Sequence, residues 1–304
     1  MLAPPHNVPP FDVTISIVSL NTRALLAACL RSVGVSAGVT FETYVVDNGS
    51  SDDSPEMVER EFPWVRLNRN EANRGFAAAN NIAIRGAVGR YVLLLNPDTV
   101  IEPGTLREMV AFMDSHGDVG ICGPRIHFPD GRFQSCGYRF PTLLSEIRQS
   151  KNIDEVLRWI VGTEPPLRVD AAPFEVDWVD GACFMIRRRV IDRIGPLDEQ
   201  YFLYAEELDW CFRARKDGWA ICTVPHVRIV HHQGQTSAQM SDFSLAHLVE
   251  TRLRYYRKNH GLAVALATSL VYIAGCLRQL SRNRRKETVK LRATLRWWRS
   301  LLTT

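Results

Sequence analysis

The sequence predicts an α/β fold, a mostly parallel central sheet flanked by helices, with a C-terminal helical tail. Three features of the chain point there. Through the first 120 residues, compact β-branched apolar runs alternate with single helical stretches, the pattern of successive βαβ units. Two polar clusters, Asp47-Asn48-Gly49-Ser50 and Asn96-Pro97-Asp98, fall where strands of that pattern end. Sheets of this class bind ligands outside the carboxyl ends of their strands. Beyond Phe243 the chain reads as helical almost to its last residue.

The elements follow in order. Residues 1–11 read as a disordered lead-in, because MLAPPH lacks the basic-then-apolar pattern of a secretion signal. Residues 13–20 (VTISIVSL) have the length and branching of a buried strand, and residues 22–33 are helical. A second strand, 40–46 (TFETYVV), runs into the turn-rich segment 47–54. The helix over 55–61 has Pro55 in its first turn, where a missing N–H costs nothing. Residues 75–85 form a small-residue helix, 91–95 (YVLLL) a buried strand, and 119–123 another. From 128 to about 174 the periodicity weakens into a loop-rich insertion with a short helix near 143–160. Order returns with a strand-like run at 176–187, an acidic segment opening a helix that ends at Asp217-Gly218, and a short strand at 227–232. The expected division is one domain over 12–242, with halves 12–125 and 126–242, and a basic tail over 243–304.

Composition is that of an ordinary globular protein, 46% hydrophobic and 23% charged over 304 residues. The seven cysteines form no C-x-x-C pair, which argues against a zinc site or a redox motif and for buried free thiols in a reducing compartment. With no signal sequence, that points to the cytoplasm. The net charge of +4 conceals a split. Residues 252–304 carry thirteen Lys or Arg against the single acid Glu287, whereas the rest of the chain holds 24 basic and 32 acidic residues. Within that tail, 261–276 is sixteen uncharged residues, short of the roughly twenty a membrane span needs. Cations flank it on both sides, and Trp297 and Trp298 follow. A helix lying in the headgroup layer of an anionic membrane surface fits this composition; a buried helix with a solvated basic tail is the plainer alternative.

Four places could carry chemistry. Asp98, at the mouth of a buried strand bent by Pro97, can coordinate a hard divalent cation that in turn holds phosphate oxygens. Taken alone, Asn96-Pro97-Asp98-Thr99 reads better as a turn, with Asp98 capping the helix after Pro103. Asp47 follows Val45-Val46 in the same way and could face a nucleobase or ribose. Glu206, Glu207 and Asp209 crowd three carboxylates into four residues, so mutual repulsion can raise one pKa into the range of a general base. The simpler reading is an acidic helix N-terminus favoured by the macrodipole. His231 and His232 end a strand, where neighbours face opposite sides and only one can reach a site.

In order along the chain, Ile17-Val18-Ser19-Leu20-Asn21, Val45-Val46-Asp47-Asn48-Gly49-Ser50-Ser51-Asp52, Asn73-Arg74-Gly75-Phe76, Leu94-Leu95-Asn96-Pro97-Asp98-Thr99, Asp180-Gly181-Ala182-Cys183, Gly195-Pro196-Leu197-Asp198-Glu199, Phe202-Leu203-Tyr204-Ala205-Glu206-Glu207-Leu208-Asp209 and His231-His232-Gln233-Gly234 resemble glycosyltransferase family 2, in particular its rhamnosyltransferase-like bacterial branch. The resemblance covers about residues 12–240. It implies a GT-A fold, a Rossmann-like nucleotide half fused to an acceptor half, and inverting, metal-dependent transfer from a nucleotide-sugar donor to a glycan or lipid-linked acceptor. Asp98 falls at the metal-binding carboxylate of the D-x-D motif, with Asn96 in place of the first acid, and the implied cofactor is Mg2+ or Mn2+. Asp47 matches the residue that contacts the nucleobase, and Asn21, Asn48, Asn73, Gly75, Asn96 and Gly181 fall in donor-lining segments. Glu207 maps onto the catalytic base with glutamate replacing aspartate, Glu206 is its alternate, and Asp209 matches the acid that follows. His231 aligns with a histidine that approaches metal or diphosphate. The branch suggests rhamnose from dTDP-rhamnose, for cell-surface polysaccharide synthesis.

Two rivals fare worse. A nucleotidyltransferase would want a Gly-rich phosphate loop with basic residues near the first strand, and residues 17–23 contain none. A nucleic-acid-binding protein could use the basic tail, but the tail holds no recognition motif and the remainder is net negative, so no nucleic-acid partner is expected.

Overall fold

A computed structural model describes residues 9–149, 172–232, 241–281 and 283–302. Ten strands form one sheet in the order β3-β2-β1-β4-β9-β6-β10-β5, with β7 paired to β6 and β8 to β10. The first half supplies β1 (Phe11–Ser19), α1 (Arg23–Gly34), β2 (Phe41–Asp47), α2 (Ser54–Glu61), β3 (Val65–Arg69), α3 (Phe76–Gly86), β4 (Gly89–Leu95), β5 (Thr99–Ile101), α4 (Thr105–Ser115) and β6 (Val119–His127). The second supplies β7 (Phe133–Ser135), α5 (Leu143–Gln149), β8 (Phe174–Glu175), β9 (Cys183–Arg187), α6 (Arg188–Ile194), α7 (Glu206–Lys216) and β10 (Ala220–His231). The tail is α8 (Ser241–His260), α9 (Leu262–Gln279) and α10 (Arg284–Leu302).

The parallel order expected from the sequence holds for β3, β2, β1 and β4. The sheet then becomes mixed, because β9 runs antiparallel to both of its neighbours, β4 and β6. The reason is local: residues 176–187, which read as one strand, are split by the Asp180-Gly181 turn, and only Cys183–Arg187 enters the sheet. That antiparallel entry lays the turn beside the end of β4, where Asn96 N donates to Ala182 O at 2.9 Å. The β3 strand, polar enough to pass as loop, is held by pairing with β2.

Alternation along β4 shows how the layers assemble. Tyr91, Leu93 and Leu95 face a core shared with α1, α2 and α4. Val92 and Leu94 face the opposite core, with Ala77 and Ile84 of α3, Val190 of α6 and Trp210 of α7. Successive strand residues point to opposite sides, so one apolar run can serve both cores. Each such side chain contributes about 1.5–3 kcal/mol on full burial. All seven cysteines are free and buried, matching the thiol reading of the sequence.

The tail is built into this body. Leu253, Tyr255 and Tyr256 of α8, Ala265 of α9, and Ala293 and Trp297 of α10 share a core with Tyr201 and Leu208, and Leu208 belongs to α7. A boundary at 242/243 therefore marks a change of composition rather than a gap in packing. Of the expected lead-in, residues 1–8 lie outside the described residues, as do the part of the 143–160 helix beyond Gln149 and Gln233-Gly234.

Candidate active site

The carboxyl ends of β1, β2 and β4 face one way, and over them opens a cavity of about 360 Å3. Its walls include Asn48, Asn73 and Gly75 on one side, Asn96, Asp98 and His231 on the floor, and Gly181, Glu206 and Glu207 opposite. Side chains spread over 184 positions of the chain thus meet at one site.

The donor-side wall is a closed web of turns. Asn48 donates through Nδ2 to Asn73 Oδ1 at 2.9 Å and to Gly75 O at 3.2 Å, and its Oδ1 accepts from Asn70 Nδ2 and Arg74 N. Gly75 sits at φ 84°, and a Cβ there would lie 2.5 Å from Phe202 O, so no other residue fits without moving the backbone. Asp47 spends Oδ2 on the N–H groups of Gly49 and Ser50, an Asx-type turn. Its buried Oδ1 has no partner among the described residues, an acceptor left over at the strand end where a nucleobase N–H is expected. Asn21, at φ 51°, accepts from Ser51 N at 2.8 Å and so links the β1 and β2 turns. Neither Asn21 nor Asp47 is among the residues that line the cavity.

On the floor, Asp98 and His231 face each other, Asp98 Oδ1 lying 3.2 Å from His231 Nε2, with both residues buried. The antiparallel pairing of β5 with β10 sets this up: Thr99 is in register with His231, and His232 N donates to Asp98 O at 2.9 Å. No group of three or more metal-ligating side chains occurs among the described residues. A carboxylate and an imidazole nevertheless fit a divalent cation that keeps most of its positions for water and phosphate oxygens.

The opposite wall is under strain. Tyr204 (φ 70°) and Ala205 (φ 66°) are consecutive non-glycine residues in the left-handed region, immediately before Glu206 opens α7. Each such residue costs on the order of 1–3 kcal/mol and persists only where its surroundings impose it. Glu206 Oε2 and Glu207 Oε2 are buried without a hydrogen-bond partner among the described residues. Burial pushes the Glu207 carboxyl up to about 7; the Asp180 carboxylate adds to the rise, while backbone N–H groups and Arg252 of α8 oppose it. Burial, then repulsion from Glu207, raises the Glu206 carboxyl well above the ordinary carboxylate range. A helix N-terminus should favour carboxylate charge; here desolvation outweighs it.

Asp209, grouped with these acids by sequence, goes elsewhere. It is fully buried, receives Arg213 Nε and Lys258 Nζ on Oδ2, each at 2.9 Å, and Asn259 Nδ2 on Oδ1, and does not line the cavity. Three residues further along α7 than Glu206, it faces α8 and fastens the tail to the helix that carries the glutamates.

Sequence reasoning passed over Asp180, Gln134, Trp178, Phe202 and Tyr204. Asp180 was legible beside Gly181; it lines the cavity and accepts from Ser135 Oγ at 3.0 Å and Tyr138 OH at 3.2 Å. Trp178, stacked on Tyr138 with centroids 4.4 Å apart, joins Phe202 and Tyr204 as an aromatic part of the wall. Gln134 gave no signal at all; its Nε2 lies 2.9 Å from His231 Nδ1.

Comparison with known proteins bears on the family and the fold. Residues 14–195 match the family described as Glycosyl transferase family 2. The chain is 27% identical over 228 residues, 69% of its length and 72% of the relative's, to the N-acetylglucosaminyl-diphospho-decaprenol L-rhamnosyltransferase of Mycobacterium tuberculosis. It is 28% identical over 197 residues, 63% of its length and 59% of the relative's, to a low-salt glycan biosynthesis hexosyltransferase of Haloferax volcanii. Among solved structures, a mannosyltransferase from Pyrobaculum calidifontis in complex with GDP-Man and Mn2+ superposes with a TM-score of 0.59 at 18% identity, covering 95% of this chain and 77% of that one. Residues 1–349 of TarS from S. aureus superpose with a TM-score of 0.55 at 16% identity, covering 92% and 90%. The chain belongs to glycosyl transferase family 2, has the GT-A glycosyltransferase fold, and is a glycosyltransferase.

Proposed function

We propose that this family 2 enzyme is an inverting, cation-dependent transferase that moves rhamnose from dTDP-rhamnose to a glycan or lipid-linked acceptor in cell-surface polysaccharide synthesis. The observation that carries the reading is a single cavity with Asp98 and His231 on its floor and Glu207, its Oε2 without a partner among the described residues, across from them. The rhamnosyl and lipid-linked parts rest on the mycobacterial relative.

Asp98 and His231 would hold Mg2+ or Mn2+, which when bound neutralises the diphosphate and lowers the cost of charge on the leaving group. Asp47 and the Asn48-Asn73-Gly75 web receive the nucleoside, with Asp47 Oδ1 accepting a base N–H. Glu207 takes the proton of the acceptor hydroxyl as that oxygen attacks the anomeric carbon opposite the diphosphate. One displacement inverts the configuration. With a pKa near 7, Glu207 is ionised in a useful fraction at neutral pH and still basic enough to accept the proton. Glu206, whose carboxyl is also raised by burial and by repulsion from Glu207, opposes a second negative charge beside it. Asp180 and the aromatic wall shape the acceptor side.

The tail supports attachment to the cytoplasmic face of an anionic membrane. Ala263, Leu270, Ala274 and Leu277 recur at helical spacing on the exposed side of α9. Leu295, Trp298 and Leu302 are exposed on α10 among the exposed Arg292, Arg296 and Arg299. Leu262–Gln279 is also the one helix among the described residues long and apolar enough to cross a membrane by length and composition.

A panel of nucleotide-sugars, with and without Mn2+, scored by thermal stabilisation tests the donor assignment. dTDP-rhamnose with Mn2+ should raise Tm most, by the amount a ligand well above its Kd confers. A shift given equally by GDP- or UDP-sugars, or one indifferent to Mn2+, would remove the rhamnosyl or the cation part of the reading.

A further inference from the structure

The proposal concerns Gln134 and rests on the cation reading of Asp98 and His231. Gln134 lies on β7, a three-residue strand paired only with β6, and its amide reaches under the ring of His231. Two features of that amide bear on the ring beside it. Its Nε2 is 2.9 Å from His231 Nδ1, and its Oε1, shut off from solvent, has no partner among the described residues. A buried amide oxygen without a donor is costly, yet a half-turn about Cγ–Cδ would exchange the two atoms without changing the shape of the side chain.

Each position of the amide suits a different tautomer of the neutral His231 ring. With Nε2 toward the ring, the amide donates to Nδ1, the ring proton stays on Nε2, and Nε2–H donates to Asp98 Oδ1 across 3.2 Å. In that state the imidazole has no lone pair to offer a cation beside Asp98. With Oε1 toward the ring, the amide accepts from Nδ1–H, and Nε2 presents its lone pair on the Asp98 side. The buried Oε1 then has its donor. Histidines that ligate metals are held in this way, by an acceptor on the far ring nitrogen.

We infer that Gln134 is the positioning residue that selects the cation-binding tautomer of His231, its amide turning over as the cation displaces the Asp98–His231 hydrogen bond. One proton leaves Nε2 and one arrives at Nδ1, so the ring gains no charge. Gln134 is not among the residues that line the cavity; it acts through His231.

Direct titration with Mn2+, alone and then with dTDP present, reads the effect through the electron paramagnetic resonance signal of the unbound ion. Gln134→Leu removes the acceptor and should weaken Mn2+ binding by about 10- to 100-fold, with an unchanged melting temperature in the absence of metal. Gln134→Glu keeps an acceptor for Nδ1–H and should bind Mn2+ at least as tightly as the parent. Parent-like Mn2+ affinity in Gln134→Leu, while Asp98→Ala has lost it, would overturn this assignment alone. Loss in both Gln134 variants would also overturn it, since the amide would then be acting as a donor or a packing group. Should the parent bind no more Mn2+ than Asp98→Ala, the cation reading of the site falls, and this role with it.

Discussion

The two walls of the cavity are built on opposite principles. On the donor side, Asn48 satisfies both ends of its amide within the web of Asn70, Asn73, Arg74 and Gly75, and glycine occupies the position where a close approach forbids a side chain. On the acceptor side, two buried carboxyls have oxygens without partners, behind two consecutive left-handed residues. The first wall, save for the unpartnered Oδ1 of Asp47, is complete before any ligand arrives. The second stores unfavourable desolvation and backbone strain, each on the order of 1–3 kcal/mol. The difference teaches where chemistry resides: a recognition surface can be rigid and satisfied, but a general base must be left wanting a proton.

The floor between the walls gives the largest expected effect. Asp98→Ala should abolish transfer and, with it, any Mn2+-dependent stabilisation by the donor; full activity in this variant, with or without EDTA, would sink the cation site. Next, Glu207→Gln should lower kcat by about a hundredfold or more while donor affinity, set by the other wall, stays as it was. Equal losses in donor binding and turnover would mean that the two walls are not separable. The pH dependence of kcat should rise through about 7 in the parent, following ionisation of Glu207.

The same carboxyl makes the acceptor wall a measurable liability. Its folded-state pKa is raised, from the ordinary 4.5 to about 7. Its contribution to stability is therefore fully present below pH 4.5 and is lost as pH rises to about 7. Glu207→Gln, which cannot ionise, should be more stable than the parent above pH 7 by on the order of 3 kcal/mol, with no such gain at pH 4. Denaturant unfolding at the two pH values decides it, and a destabilised variant at high pH would show that the parent carboxylate is paired after all. The smallest effect belongs to Asp209→Asn. It should lower stability by about 1–3 kcal/mol through weakened bonds to Arg213 and Lys258 and leave kcat within a factor of about two. A large kcat loss without destabilisation would return Asp209 to the catalytic group.

What the sequence determined by itself was the set of local structures and the chemistry they could carry. The strands at 13–20, 40–46 and 91–95 and their intervening helices are written in apolar period and turn residues, which act over a few positions, and the resulting elements agree within a residue or two. The polar strand ends at Asp47 and Asp98, and the acidic opening of α7, were legible for the same reason. What only the tertiary structure decided was which of these groups face one another and which stay unsatisfied. Asp98 meets His231 because β5 pairs antiparallel with the distant end of β10, and Asp180 reaches the site because β9 enters the sheet reversed. Acids two residues apart on α7 part company, Glu207 to the cavity and Asp209 to Lys258 of α8. Desolvation depends on everything that covers a group, and strand register on pairings remote in the chain, so neither is encoded within reach of a local pattern.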